Sequence, residues 1–259
     1  MSGTVAGTDR ATRVLAPNPG PMTLEGTNTW VLGEPGASAC LVVDPGPENP
    51  AHRAAVVAAA GDRRVAAILL THGHADHAAG ARGLARATGA GVRALDPAHR
   101  LGDEGLAAGD VVGTGGLEVR VVASPGHSAD SLCFHLPADR ALLTGDTVLG
   151  RGTAVVAHPD GHLAAYLASL DRLRDLAGEL DVLLPGHGPT VRDPVGMLDH
   201  YLRHRAERLA QVADAVAGGA TTPRAVVEVV YAGVDRALWR AAEMSVRAQL
   251  DYLAERGPA

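Results

Sequence analysis

The chain has 259 residues, 46% of them hydrophobic, and a formal net charge of −6, so it can bury a large core and shows no overall pull toward nucleic acid or acidic membranes. All 23 basic residues are arginine, which excludes a Walker-type phosphate lysine and a Schiff-base lysine. Aromatic residues make up 3%, too few for a base-stacking platform.

Residues 1 to about 12 are rich in Gly, Ser and Thr and are expected to fray. A turn-dense stretch follows at Pro17-Asn18-Pro19-Gly20-Pro21, and Met22 to Leu32 reads as a hairpin turning near Glu25-Gly26. Ala39–Val43 is a buried strand ended by Asp44-Pro45-Gly46, and His52–Ala60 is helical. Val65–Leu70 is a strand that runs into Thr71-His72-Gly73-His74-Ala75-Asp76-His77, with a helix expected from Ala78 to Thr88. Val92–Leu95 is a short strand, and Asp103–Asp110 an exposed connection.

Leu117–Val122 alternates as a half-buried strand does and leads into Pro125-Gly126-His127-Ser128. Ser131–Leu136 and Ala141–Leu143 are strands, the second entering Thr144-Gly145-Asp146-Thr147. Leu163–Leu176 is an amphipathic helix, and Asp181–Leu184 a strand before Pro185-Gly186-His187-Gly188. From Pro194 the pattern is helical only: Met197–Ala217, then a helix capped by Thr222 with Pro223 in its first turn, then one capped by Asp235. Strands and helices in this order predict two packed sheets with helices outside.

Cys40 and Cys133 lie in apolar runs and read as buried free thiols. No segment reaches the ~18 consecutive apolar residues of a membrane helix. The start lacks the features of a secretory signal, so a cytoplasmic location is expected.

Four apolar runs therefore end in His or Asp: His72, His74, Asp76 and His77 after the first, then His127, Asp146 and His187. Imidazole and carboxylate are ligands for zinc and similar cations. Seven groups are too many for one tetrahedral ion and suit two divalent metals. His72, His74 and His127 are assigned to one, and Asp76, His77 and His187 to the other, with Asp146 bridging and Asp76 also orienting the attacking water. Zinc is the expected metal, with iron or manganese as alternatives. If the four strands lie side by side, the whole set meets at one edge of the sandwich. His158 is a further candidate for lining the cleft. Ser128 and Ser131 read as turn residues, not nucleophiles.

Thr-His-x-His-x-Asp-His, Pro-Gly-His, Thr-Gly-Asp-Thr and Pro-Gly-His-Gly, in this order, resemble the metallo-β-lactamase superfamily. Asp44, in Val-Asp-Pro-Gly, resembles that family's carboxylate standing behind the metal ligands. The stretch Asn18 to Trp30 and the tail around Thr222-Pro223-Arg224 look like the lactamase-beta-like 2 branch. The resemblance implies an α/β fold: an αββα sandwich in residues 1–195, followed by a small all-α winged-helix-like domain in residues 196–259 that lacks a clear wing. It implies a metal-dependent hydrolase acting on a small or carrier-bound acyl ester or thioester. The alternatives are cleavage of single-stranded RNA, a mono-iron persulfide dioxygenase, or a metal-bearing nucleic-acid-binding module without catalysis. For RNA the first tail helix offers His200, Arg203, His204, Arg205 and Arg208, although from Pro194 onward eight arginines are matched by eight acids. Leu238, Trp239, Met244 and Leu250 could mediate a homodimer or form the tail's own core.

Overall fold

The computed structural model describes residues 4–256. One sheet runs in the order β1 (Thr4–Ala6), β2 (Ala11–Leu15), β3 (Asn28–Leu32), β4 (Ala39–Val43), β5 (Arg64–Leu69) and β6 (Gly91–Arg93). The second contains β7 (Val111–Thr114), β8 (Leu117–Ala123), β9 (Leu132–Leu136), β10 (Ala141–Gly145) and β11 (Val182–Pro185), in the reverse order across the sheet. The pairs β4–β5, β5–β6 and β10–β11 are parallel, and the other neighbours are antiparallel.

The helices are α1 (Pro50–Ala60), α2 (Ala75–Ala78), α3 (Ala81–Thr88), α4 (Leu163–Leu176), α5 (Pro194–Ala217), α6 (Pro223–Val230) and α7 (Trp239–Arg256). Side-chain alternation separates the layers. Leu41, Val43, Phe134, Ala141 and Leu143 point between the sheets. Cys40 and Val42 face outward into a cluster with Val56 of α1 and Leu84 of α3. Leu142 and Cys133 face the other way, against Tyr166 and Leu170 of α4 and Leu198 and Tyr201 of α5. The central strands are thus covered on both faces, which is why they read as continuous apolar runs. Burying each large side chain contributes about 1.5–3 kcal/mol. The layering is the expected αββα sandwich.

α5 belongs to two cores. Leu198 and Tyr201 pack on the sandwich, whereas Val212 and Ala215 pack with Val226 and Val227 of α6 and Trp239 and Val246 of α7. The expected domain break at 195/196 falls in its first turn. Thr222 caps α6 by accepting from the Ala225 N–H at 3.1 Å, with Pro223 in the first turn. Trp239 is buried in the tail's own core and Leu250 packs against it, while Met244 remains exposed.

Four expectations need correction. The N-terminal stretch does not simply fray: β1 pairs with β2, and Arg10 ties the turn between them to Asp139 at 2.6 Å. Met22–Leu32 is not a hairpin, because β3 pairs with β2 across the long 16–27 loop. The helix expected from Ala78 to Thr88 is broken at Gly80, which abuts the carbonyls of Pro45, Gly46 and Pro47. The metal-motif strands are not side by side: β5 lies in one sheet, the other three in the second, and β9 separates β8 from β10. The expectation of a missing wing falls mainly on residues outside those described.

Candidate metal centre

β5 ends at Leu69, and the chain emerges through Thr71 and His72 into the short helix α2, whose first turn carries Asp76 and His77. The other groups arrive on three turns at the corresponding end of the second sheet. The Pro125-Gly126-His127 turn needs its glycine: φ is +131°, and a Cβ there would lie 2.3 Å from the backbone N of Tyr166 in α4. At Gly186 a Cβ would sit 2.7 Å from both Asp146 Oδ1 and His77 Cε1. These two positions let the turns close on the site and on α4.

All seven predicted residues are brought together in two groups. His72, His74 and His127 form one, and Asp76, His77, Asp146 and His187 the other, with ligand atoms within 4.8 Å of one another in each. In the first, His74 Nδ1 stands 2.9 Å from His72 Nε2 and 3.0 Å from His127 Nε2. In the second, His77 Nε2 and His187 Nε2 face each other at 3.2 Å. Asp146 reaches His77 Nε2 at 3.3 Å, His187 Nε2 at 3.4 Å and His127 Nε2 at 3.7 Å, and so touches both groups. Asp76 Oδ2 lies 3.1 Å from His187 Nε2.

Four imidazoles are held from behind at Nδ1. His77 donates to Asp44 Oδ2 (2.8 Å), His127 to the Val155 carbonyl (2.8 Å), His187 to the Gly26 carbonyl (3.2 Å), and His72 to Thr71 Oγ1 (3.0 Å). Each bond assigns the proton to Nδ1 and leaves the Nε2 lone pair pointing inward. Ligand atoms about 2.0–2.1 Å from a tetrahedral cation stand roughly 3.3 Å apart, close to the spacings here. Asp146 Oδ1 is buried with no hydrogen-bond donor, as expected of an oxygen reserved for a cation. The donor set is therefore compatible with divalent metal.

The electrostatics agree. Burial and the neighbouring His77 hold His72 well below the ordinary imidazole value, and burial lowers His127. Burial also acts against charge on His77 and His187, but Asp146 with Asp44 raises the first well above its usual range, and Asp146 with Asp76 raises the second to about 9. Burial opposes ionisation of Asp146, yet His77 and His187 hold its pKa well down. Asp76 behaves alike: its burial is outweighed by His187 and His77, which lower it. The second group is a well of negative potential that calls for positive charge.

Asp44 sits at the end of β4 with φ +50°, a left-handed conformation that Asp tolerates. This turns its carboxylate back toward Thr71 and His77. Asn28, inside the quoted N-terminal stretch but with no role assigned from sequence, gives its amide to the Pro185 and Gly188 carbonyls at 2.9 and 2.8 Å and pins the His187 turn. His158 does not join the cleft, because its ring pairs with Asp251 of α7 at 3.1 Å. Two residues on, Asp160 reaches His74 Nε2 at 4.0 Å on the exposed side of the site. Only the turn chemistry of Pro159-Asp160-Gly161 marks that loop in the sequence. Ser128 and Ser131 bond each other at 2.7 Å, and Ser128 also bonds Asp130, as turn residues.

This layered fold, with a His/Asp cluster at the meeting ends of its sheets, defines a metal-dependent hydrolase. Residues 22–187 match the model of the metallo-beta-lactamase superfamily, and the chain belongs to that superfamily. Residues 222–259 match the beta-lactamase associated winged helix domain. The chain is 34% identical over 219 residues to a beta-lactamase-like protein 2 homolog from Caenorhabditis elegans, covering 79% of this chain and 70% of that protein. It is 33% identical over 239 residues to an atrochrysone carboxyl ACP thioesterase from Aspergillus fumigatus, covering 86% and 73%. A metallo-beta-lactamase family protein from Thermus thermophilus shares the fold, with TM-score 0.80 at 24% identity over 97% of this chain and 95% of that one. No helix among the described residues is long and apolar enough to cross a membrane.

Proposed function

We propose that the protein hydrolyses an ester or thioester of a small or carrier-bound acyl group, using two divalent cations, zinc foremost. His72, His74 and His127 would hold one, and Asp76, His77 and His187 the other, with Asp146 between them. The observation that carries this reading is the convergence of inward-facing Nε2 atoms on Asp146, each imidazole fixed from behind at Nδ1. Cations bound there supply Lewis acidity and bring the pKa of water toward neutrality.

The chain's own residues do the rest. Asp44 and the Val155 and Gly26 carbonyls keep the imidazoles in the tautomer that presents a lone pair. Asp76 is part-exposed and held ionised at neutral pH, so it can accept a hydrogen bond from the attacking water and orient it. Neither Ser128 nor Ser131 is free to act as a nucleophile, since both are committed to their turn.

The thioester preference draws on the relative named as an ACP thioesterase. It also draws on the tail. Arg205, offered to RNA by sequence, is buried against the Ala154 carbonyl and the Tyr166 ring, and Arg208 stacks on Tyr231. Neither extends as a surface phosphate contact.

The test is turnover by the zinc-loaded chain on short acyl-thioesters and on a fluorescent single-stranded RNA, with Asp146→Asn as control and metal content measured on both proteins. Thioester cleavage lost in Asp146→Asn is the expected result. Cleavage of RNA alone would overturn the acyl assignment, and a single iron per chain would point to the dioxygenase.

A further inference from the structure

A cavity of about 270 Å³ lies between the sandwich and the tail helices, and none of the seven His/Asp cluster residues lines it. That is near the lower end of small-ligand pockets, which run from about 300 Å³ upward. Most of its wall is apolar: Met22 comes from the 16–27 loop, Val155 from the sandwich, and Leu238 and Ala242 from the tail. Three nitrogen-bearing side chains of α5 interrupt this wall: His204, Arg205 and Arg208.

Two of these, Arg205 and His204, are poorly satisfied for their burial, and Arg208 is half-buried beside them. Arg205 is 8% exposed, and its Nε is buried without an acceptor. Its terminal nitrogen bonds the Ala154 carbonyl. His204 Nδ1 is likewise buried without a partner. Arg208 gives one bond, to the Val230 carbonyl at 3.0 Å. Both arginines spend these bonds on neutral carbonyls, and no carboxylate pairs with either among the described residues. Arg205 also lies over the Tyr166 ring and Arg208 over the Tyr231 ring, which offsets part of the cost, but neither ring supplies the negative charge that an anion in the hollow would bring.

We propose that this cavity binds a small monocarboxylate with an apolar body, its carboxylate on Arg205 and Arg208 and its hydrocarbon against Met22, Val155 and Leu238. Guanidinium groups match a carboxylate in charge and in planar donor geometry. The apolar wall rewards a hydrocarbon body and gives nothing to a free inorganic anion. The place is significant for the chemistry nearby. Val155 closes one side of the cavity, and its carbonyl holds His127 Nδ1 at 2.8 Å. The loop that supplies Met22 also supplies the Gly26 carbonyl that holds His187. A ligand here would rest against both loops that orient the cluster. The proposal does not depend on which bond the cluster breaks.

The experiment is calorimetric titration of the full chain, stripped of metal so that carboxylate cannot bind a cation, with 4-phenylbutyrate and its neutral analogue 4-phenylbutyramide. The expected result is one site per chain, with the amide and the Arg208→Gln variant each weaker by at least about 10-fold. Ala241→Leu, which fills the hollow from α7 without touching a charge, should abolish binding, and circular dichroism confirms that both variants are folded. Equal affinity for acid and amide, binding unchanged in both variants, or no binding at millimolar ligand would each overturn the assignment.

Discussion

Asp44 Oδ2 accepts a hydrogen bond from His77 Nδ1 at 2.8 Å and, on the same oxygen, the hydroxyl of Thr71 at 2.7 Å. Because Thr71 Oγ1 gives its proton to Asp44, it can only accept from His72 Nδ1, 3.0 Å away. One carboxylate therefore sets the tautomer of an imidazole in each group. Asp44→Asn should weaken metal binding about 10–100-fold while leaving the fold intact. Competition with a chromophoric chelator measures this, and unchanged affinity would remove Asp44 from its role.

Tyr201 of α5 reaches across to accept the Leu149 N–H at 2.8 Å, bracing the turn that follows Asp146. Tyr201→Phe leaves that buried N–H without a partner, at a cost of about 1–3 kcal/mol. Urea denaturation reads the loss. A change within a few tenths of a kcal/mol would mean the turn finds another acceptor.

Gly126 tolerates no side chain. Alanine would need φ near +131° and would press on the α4 backbone at 2.3 Å, displacing His127 or α4. The expected penalty for Gly126→Ala is about 3 kcal/mol or more, with metal affinity reduced in whatever folds. Thermal melting and metal titration on one preparation test both parts. A normal melt with normal metal affinity would show that the turn can re-form elsewhere.

His52 gives a pH prediction. It is buried, its Nε2 lies 2.8 Å from Thr29 Oγ1, and burial pushes its pKa from 6.5 down to about 4. A folded-state pKa below the unfolded one means that the unfolded chain takes up the proton first as pH falls. The stabilisation is complete above pH 6.5 and is lost progressively toward pH 4. At about 1.4 kcal/mol per pH unit, the full span is about 3 kcal/mol. In metal-free protein, His52→Asn should flatten the decline over that window relative to wild type. Parallel slopes in the two proteins would refute the assignment.

The site is more legible in the sequence than the architecture around it. The clustered His and Asp side chains sit on tight turns directly after strands, and both turn chemistry and strand ends are local properties of sequence. His127, Asp146 and His187 can therefore be named from Pro-Gly-His and Thr-Gly-Asp alone, and His72 from the Thr-His-Gly-His run. Sheet order is non-local. Nothing within Ser131–Leu136 says that it will lie between the strands leading to His127 and Asp146. The turn between β1 and β2 is tied through Arg10 to Asp139, more than a hundred residues away, a contact that polar composition alone cannot reveal. Sequence favours His158 over Asp160 because a histidine draws attention as a ligand, whereas in the fold its ring turns to Asp251.

The 24 residues of α5 form a rod about 36 Å long, one end seated on the sandwich and the other in the tail. A rod clamped at both ends transmits force along its length. Heat or denaturant that loosens the tail must therefore pull on Tyr201 and on the loop it braces, so the tail acts as a keystone of the catalytic unit and cannot be trimmed away without cost to it.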